Sequence, residues 1–237
     1  MAQLLTTTRQ YRALAKELGA LLSQSPPDDS IVHEARHLCL TDLYFLLWFA
    51  MGRADIEDQW LLERCHEVQA SPDEHLDLWS REHYKSSIIT HGLTVQDLMR
   101  NPELTFGIFS HSRPIAKAFL RSIKRELECN QLLQDLFPDV LYRHPQKESP
   151  KWAEDEGLTV KRQGNQKEAS IEAWGLVDGM PTSKHFDVLI YDDIVTEKSV
   201  TTPDMIQKTT AALELSYNLG KRGGKRRFAG TRYHFND

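Results

Sequence analysis

Two adjacent carboxylates, Asp192 and Asp193, follow the apolar run at residues 188–191. A short apolar run is typical of a buried strand, so the two acids should lie at its carboxyl end. In α/β sheets that end faces the crevice where ligands bind, and carboxylate oxygens there suit Mg²⁺ with a polyphosphate. This is the pattern of a Walker B strand. A strand that ends in a solvated turn has the same pattern, so a phosphate-binding partner must be found elsewhere.

Lys85 and Ser86 are the residue types that such a partner needs. They follow a short alternating segment, residues 75–79, and a polar turn, and they precede an apolar helical segment. In a P-loop this layout places backbone N–H groups and a helix N-terminus around the phosphates. The lysine contacts the β- and γ-oxygens and the hydroxyl ligates Mg²⁺. Trp79 and Tyr84 occupy positions where the usual pattern has glycine, so the loop departs from that pattern.

A second candidate site is the sequence HEARH, in which His33 and His37 flank Glu34. It matches the HExxH pattern of zinc peptidases, where the histidines bind Zn²⁺ and the glutamate is the general base. Glu57 stands at a spacing that a third ligand could have. Arg36 is an unfavourable neighbour for a dication, so two partly exposed helix histidines are the preferred explanation of the pattern.

The elements that position these residues form two parts. Apolar residues recur at helical spacing over residues 1–24 and 31–69, with an interruption near Gly52. From residue 71 onward short apolar segments alternate with helical ones. We therefore predict an α/β fold with an N-terminal helical subdomain at residues 1–70 and an α/β core at residues 71–237.

Within the core, turn residues and apolar runs predict further elements. A helix begins at Pro114, and another begins at Pro203 and ends at Gly220. Further strands are predicted at residues 104–110, 158–161, 169–174 and 227–231.

Composition narrows the functional classes. The net charge of −5 excludes a protein that coats nucleic acid over its whole surface. Residues 221–227 contain five cations and two glycines, which predicts a solvated turn or, alternatively, a contact with a phosphate backbone. The three cysteines form no CxxC pair, which is typical of reduced thiols. No signal pattern or membrane-length apolar run is present, so we expect a soluble protein without a membrane partner.

Taken in order, these motifs resemble the N-terminal ATPase domain of the large terminase subunit of tailed bacteriophages. The resemblance covers about two thirds of the chain, from about residue 75 to the end, and the final block is its most specific part. The segments that carry it are residues 81–87, 109–112, 136–139, 188–193 and 230–237.

The resemblance implies a P-loop NTPase with a mostly parallel central sheet flanked by helices, and ATP and Mg²⁺ as cofactors. Lys85 and Ser86 would hold the β- and γ-phosphates within a loop that includes His83, Tyr84 and Ser87. Ser86 and Asp192 would bind Mg²⁺.

The same resemblance implies the catalytic roles. Asp193 would polarise the attacking water, a role usually filled by glutamate, and Glu197 is the reserve candidate. Thr231 would sense the γ-phosphate and couple hydrolysis to DNA movement. Arg81 would stabilise charge in the transition state, in its own subunit or in a neighbour.

The implied function is a motor that couples Mg-ATP hydrolysis to translocation of double-stranded DNA into a procapsid. It would work as a homo-oligomeric ring with the portal protein and the small terminase subunit, in the cytoplasm of the infected bacterium. The family also carries a C-terminal nuclease domain that this chain could not encode, so we expect a truncated chain with weak turnover. The alternatives are a fragment that only binds DNA or assembles, and a zinc peptidase.

Overall fold

The computed structural model describes residues 5–24, 26–71 and 73–233. The residues before the sheet are helical. A π-helical segment, Leu46–Ala50, continues α3, and a short 3₁₀ turn, Ala54–Ile56, precedes α4. The boundary drawn at residue 70 stays a prediction. The helices of this part are α1 (Thr8–Leu22), α2 (Asp29–Thr41), α3 (Leu43–Phe45) and α4 (Gln59–Ala70).

Side-chain caps explain where these helices begin. The Thr7 hydroxyl accepts from the Gln10 backbone N–H, and the Gln10 side chain returns to Thr7, which completes a capping box. Asp28 and Asp58 each accept a backbone N–H of the first turn, at the starts of α2 and α4. These bonds satisfy donors that a helix start leaves unpaired.

The remaining described residues alternate between strands and helices. A π-helical segment, Ser86–Leu93, runs directly into α5, and 3₁₀ turns cover Glu197–Val200 and Tyr217–Leu219. The helices are α5 (Thr94–Arg100), α6 (Arg113–Cys129), α7 (Gln131–Leu136), α8 (Pro145–Glu148) and α9 (Pro203–Ser216). The strands are β1 (His75–Leu78), β2 (Phe106–Ser110), β3 (Trp152–Ala153), β4 (Gly157–Leu158), β5 (Ile171–Gly175), β6 (Phe186–Asp192) and β7 (Gly220–Gly230).

The described strands form one seven-stranded sheet in the order β1-β7-β6-β2-β5-β4-β3. Strands β1, β7, β6, β2 and β5 are parallel, and β3 and β4 join as antiparallel strands. Parallel pairing requires crossover connections, which the flanking helices supply. The predicted α/β class with a mostly parallel, helix-flanked sheet is therefore confirmed. Because β7 lies between β1 and β6, the carboxyl ends of these three strands are neighbours: Leu78 pairs with Gly230, and Asp192 with Ala229.

The prediction of a turn at the basic run, residues 221–227, is wrong. These residues belong to β7, which pairs along β6 from Phe186 to Asp192. The register shifts between Phe186 and Val188, and Gly223 there has φ +76°. A Cβ on Gly224 would lie 2.7 Å from the Asp187 carbonyl oxygen. The two glycines thus accommodate a bulge in the strand.

The strand pair predicted at residues 158–161 and 169–174 is present in shorter form. Leu158 of β4 pairs with Ile171 of β5, and the residues between them form a loop.

Two hydrophobic clusters cover opposite faces of the sheet. On β6, Val188 and Ile190 face the larger cluster, which includes the N-terminal helices. Leu189 and Tyr191 face the smaller one, which is covered by α9 and its neighbours. Because side chains alternate along a strand, Asp192 falls on the same side as Val188 and Ile190.

The N-terminal helices pack closely on the segment after the phosphate-loop candidate. A Cβ on Gly92 would lie 2.6 Å from Leu47 Cδ2, so the absence of a side chain allows this approach. None of the described helices combines the length and the apolar composition that a membrane crossing requires.

Candidate functional site

Asp192 is a fully buried carboxylate at the end of β6. Asp192 lies on the same face of the sheet as Val188 and Ile190, and its side chain contacts the π-helical segment Ser86–Leu93. Ser86 Oγ donates to Asp192 Oδ1 at 3.1 Å, and Thr90 Oγ1 donates to Asp192 Oδ2 at 2.5 Å. Two hydroxyls from one helical segment therefore hold this carboxylate.

Burial raises the pKa of Asp192 to about 6, and the charge of Asp193 adds to the effect. The hydrogen bonds from Thr90 and Ser86 and the charge of Lys85 act in the opposite direction. A buried carboxylate whose charge is this poorly solvated is a favourable place for a cation.

The donor set fits Mg²⁺ better than a metal held entirely by protein. The described residues contain no group of three or more His, Cys, Asp or Glu side chains that could hold a metal ion. Mg²⁺ needs only one or two protein oxygens when water and substrate phosphates complete its coordination. Ser86 Oγ and the Asp192 carboxylate are the oxygens that would hold it.

Lys85 joins three segments of the chain. It lies at the start of the helical segment and is only 7 % exposed. Its Nζ donates to Thr231 Oγ1 at 3.1 Å, just beyond β7, and lies 3.8 Å from Asp193 Oδ1, just beyond β6. A single ammonium group is thus available where a phosphate bound at the helix start would lie.

Asp193 directly follows β6 and does not continue the alternation of side chains along that strand. Its φ of +49° is left-handed, a conformation that aspartate tolerates better than most residues. The backbone is held on both sides, since its N–H donates to the Ala229 carbonyl at 3.1 Å and its carbonyl accepts from the His111 N–H at 3.3 Å. This conformation places the half-exposed carboxylate near Lys85 rather than in the core.

The loop before Lys85 has two residues in left-handed conformations, Glu82 with φ +65° and Tyr84 with φ +62°. Each costs about 1–2 kcal/mol for a residue with a side chain. Tyr84 is one of the two positions where the P-loop pattern has glycine. The backbone therefore takes a conformation that glycine adopts freely, although glycine is not there.

The other predicted site residues lie around this centre with less defined contacts. His83 Nδ1 lies 2.8 Å from the Arg81 carbonyl, and Ser87 Oγ accepts from Arg53 at 3.4 Å. Arg81 is exposed and donates to Tyr233 OH at 2.6 Å. The Tyr233 contact raises the pKa of Arg81, with smaller contributions from Glu197 and Asp193. Glu197 is exposed at the first position of its 3₁₀ turn.

A cleft of about 620 Å³ borders the loop. Its walls come from the N-terminal helices and from residues 78–84. Trp60 of α4 is 40 % exposed and meets Trp79 edge-on at 5.4 Å between ring centroids, and His83 at 5.7 Å. Asp55 and Asp58 also line it. An open cleft with aromatic walls and acidic acceptors suits a flat base that carries N–H donors.

The residues of the HExxH pattern are not assembled into a metal site. His33, Glu34 and His37 are exposed on α2. Glu57 forms an ion pair with Arg12. The four side chains of the peptidase hypothesis therefore belong to no metal-binding group among the described residues.

Most of the predicted basic residues face acids. On β7, Lys221 pairs with Asp187, Arg226 with Glu74 and Arg227 with Asp97. Two cations of α6 also pair with acids, in the turn between β3 and β4: Lys117 with Asp155 and Arg121 with Glu154. Arg222 and Lys225 remain exposed on β7. Local neutralisation accounts for most of the charge that could suggest a nucleic-acid surface.

Two residues of the site were not predicted. Thr90 stands four residues after Ser86, a spacing that places both hydroxyls on one side of a helix, and this could have identified it. Arg53, from the N-terminal part of the chain, contacts Tyr84 and Ser87. No local sequence pattern predicts that contact.

No protein-family model matches the chain, and no curated protein sequence matches it. A functional proposal therefore depends on the geometry of the site and on the order of its motifs.

Proposed function

We propose that the chain is a Mg²⁺-dependent ATPase of the P-loop type. The observation that carries the proposal is the convergence of Lys85, Ser86, Asp192, Asp193 and Thr231, which come from three distant segments. Three contacts join them: Lys85 to Thr231 at 3.1 Å, Lys85 to Asp193 at 3.8 Å and Ser86 to Asp192 at 3.1 Å.

Each side chain has a role that its position supports. Lys85 would exchange its contact with Asp193 for the β- and γ-phosphates, which the N–H groups at the start of the helix also bind. Ser86 and Asp192 would hold Mg²⁺, which supplies charge neutralisation between the phosphates. Asp193 would then be free to orient a water molecule and accept its proton as the water oxygen bonds to the γ-phosphorus. The bond between that phosphorus and the β–γ bridging oxygen would break, which releases ADP. Arg81 would contact the developing charge after leaving Tyr233.

The cleft beside the loop would take the base. Trp60 and Trp79 offer the aromatic surface, and Asp58 offers an acceptor for an exocyclic amino group. This division places the triphosphate on the α/β part and the base against the N-terminal helices.

We further propose that hydrolysis drives the packaging of double-stranded DNA in an assembled ring, with portal protein and small terminase subunit as partners. The support is the order of the motifs together with the position of Thr231. Its hydroxyl contacts Lys85 from the end of the strand next to β6, so a change at the phosphates would reach β7 directly.

Binding of Mg-ATP to the parent and to Lys85→Ala tests the proposal. Addition of nucleotide should raise the unfolding temperature of the parent in a Mg²⁺-dependent way, and most of this rise should be lost in Lys85→Ala. Lys16→Ala, an exposed lysine of α1, is the matched control. Equal binding by Lys85→Ala and the parent would show that the phosphate site is misassigned. If the parent shows no Mg-ATP response but binds DNA, the alternative of a DNA-binding fragment is correct.

A further inference from the structure

Tyr84 determines how the loop enters the helix that carries Lys85 and Ser86. Its backbone is left-handed at φ +62°, and its carbonyl accepts from the Ile88 N–H at 2.9 Å, which closes the first turn. A tyrosine prefers negative φ, so the surrounding structure must hold it in this conformation, and contacts of its side chain are one means of doing so.

Arg53 provides such contacts from the link between the π-helical segment Leu46–Ala50 and the 3₁₀ turn Ala54–Ile56. Its guanidinium carbon lies 5.8 Å from the centroid of the Tyr84 ring, within the range of a cation–π interaction. The same guanidinium donates to Ser87 Oγ at 3.4 Å. Asp55 fixes its orientation by accepting two bonds, at 2.8 and 2.7 Å. One anchored side chain thus contacts both the last loop residue and the first turn of the helix.

We propose that Arg53 is a positioning residue of the nucleotide site, which replaces the missing loop glycine by holding Tyr84 left-handed; this rests on the proposed ATP-binding function. Glycine would adopt this conformation without support. With tyrosine in its place, phosphate-loop geometry depends on the packing of the N-terminal helices. Displacement of the segment around Arg53 would therefore weaken nucleotide binding without any change in the residues that contact the phosphates.

The first test compares three substitutions at position 84. Tyr84→Gly and Tyr84→Ala both remove the ring, but only glycine adopts positive φ freely. We expect Tyr84→Gly to bind a fluorescent ATP analogue with Mg²⁺ within about twofold of the parent, and Tyr84→Ala to bind roughly tenfold more weakly. Tyr84→Asn, which tolerates left-handed backbone, should lie between them. Equal affinities for Tyr84→Gly and Tyr84→Ala would overturn the proposal.

The second test is a double-mutant cycle. Arg53→Ala should weaken binding roughly three- to tenfold in the Tyr84 background and have no further effect in Tyr84→Gly. The same loss in both backgrounds would mean that Arg53 acts on the ligand or on general stability, not through Tyr84. Arg12→Ala removes an arginine–acid pair from the same helices and should leave binding unchanged.

Hydrogen exchange of the Ile88 amide gives a readout without nucleotide. Arg53→Ala should speed this exchange about tenfold in the Tyr84 background and not in Tyr84→Gly. If this coupling is found but no variant binds Mg-ATP, the loop inference stands and the proposed function fails. If ATP binds but the coupling is missing, the inference alone fails. Should Arg53→Ala not fold, Asp55→Ala releases the same guanidinium from an exposed position and is expected to produce a smaller loss of the same kind.

Discussion

Lys85 Nζ donates to Thr231 Oγ1 at 3.1 Å, a bond between residues 146 positions apart in the chain. It joins the start of the helical segment Ser86–Leu93 to the residue that follows β7. In the proposed ATPase a phosphate bound at Lys85 competes for the same ammonium group. Occupancy of the site would then be communicated to β7 through one hydrogen bond.

Thr231→Val should separate binding from turnover. Valine keeps the branched shape but lacks the hydroxyl that contacts Lys85. We expect affinity for Mg-ATP within about threefold of the parent and single-turnover hydrolysis slower by more than about tenfold. Thr210→Val, an exposed position of α9 whose hydroxyl bonds only within its helix, is the control. Parallel losses of affinity and rate would instead assign Thr231 to binding alone.

Asp192→Asn should stabilise the protein and abolish Mg²⁺-dependent nucleotide binding. The amide removes a buried charge whose desolvation is reflected in a pKa of about 6, so a gain on the order of 1–3 kcal/mol is expected near pH 8. That gain corresponds to roughly 2–4 °C per kcal/mol in a chain of this size. Thermal unfolding measures both effects, with Asp204→Asn, at an exposed position of α9, as the control. A lower unfolding temperature for Asp192→Asn would show that the carboxylate is stabilising.

Trp60→Ala should weaken ATP binding but not the binding of inorganic triphosphate. Loss of an aromatic surface under a base typically costs about 1–3 kcal/mol, so roughly a tenfold loss of ATP affinity is expected. Triphosphate lacks the base and should bind within about twofold of the parent. Isothermal titration of both ligands makes triphosphate the internal control. An equal loss for both ligands would place the base outside this cleft.

The contribution of His66 to stability should fall as pH rises. Its Nε2 lies 3.6 Å from Asp42 Oδ2, and this carboxylate raises the pKa of His66 above the ordinary 6.5. Burial opposes ionisation of Asp42, but hydrogen bonds from His66 and Tyr11 outweigh it and lower the pKa of Asp42. Below pH 6.5, as long as Asp42 is ionised, the pair makes its full contribution to the stability of the folded protein. That contribution is lost as pH rises through the raised pKa of His66.

Urea unfolding of the parent and His66→Gln at about pH 5.5 and about pH 9 measures this. The difference in the free energy of unfolding between the parent and the variant should be larger at the lower pH by up to about 1 kcal/mol. This value is small because His66 is partly exposed. His37→Gln, at an exposed position of α2 with no acidic partner among the ion pairs of the described residues, should show no such difference. A larger advantage at the higher pH would contradict the assigned ionisation of the pair.

Local pattern predicted much of the α/β part. The apolar run before Asp192 indicated a buried strand because both faces of a parallel sheet are covered. The order of a short strand, a polar turn, Lys-Ser and an apolar helical segment correctly predicted that Lys85 and Ser86 lie at a helix start. Cap residues marked the start of α9, since a threonine hydroxyl accepts a first-turn N–H and proline suits the first helical position.

Local sequence patterns did not predict the structure where a residue's environment is set by segments far away in the chain. Residues 221–227 resemble a solvated turn in composition, yet β6 provides hydrogen-bond partners that draw them into β7. The HExxH pattern is a coincidence of local sequence, as its alternative explanation predicted: His33 and His37 are exposed on α2, and no metal-binding group is found among the described residues.

The sequence by itself determined the chemical groups of the site and the elements that carry them, because helix caps, strand runs and the Lys-Ser and Asp-Asp pairs depend on near neighbours. Only the tertiary structure decided that Lys85 meets Thr231, that Thr90 joins Ser86 on Asp192, and that Arg53 lies against the ring of the left-handed Tyr84. These contacts depend on strand order and on the packing of the N-terminal helices. Both are set by burial of apolar surface between segments that lie far apart in the chain.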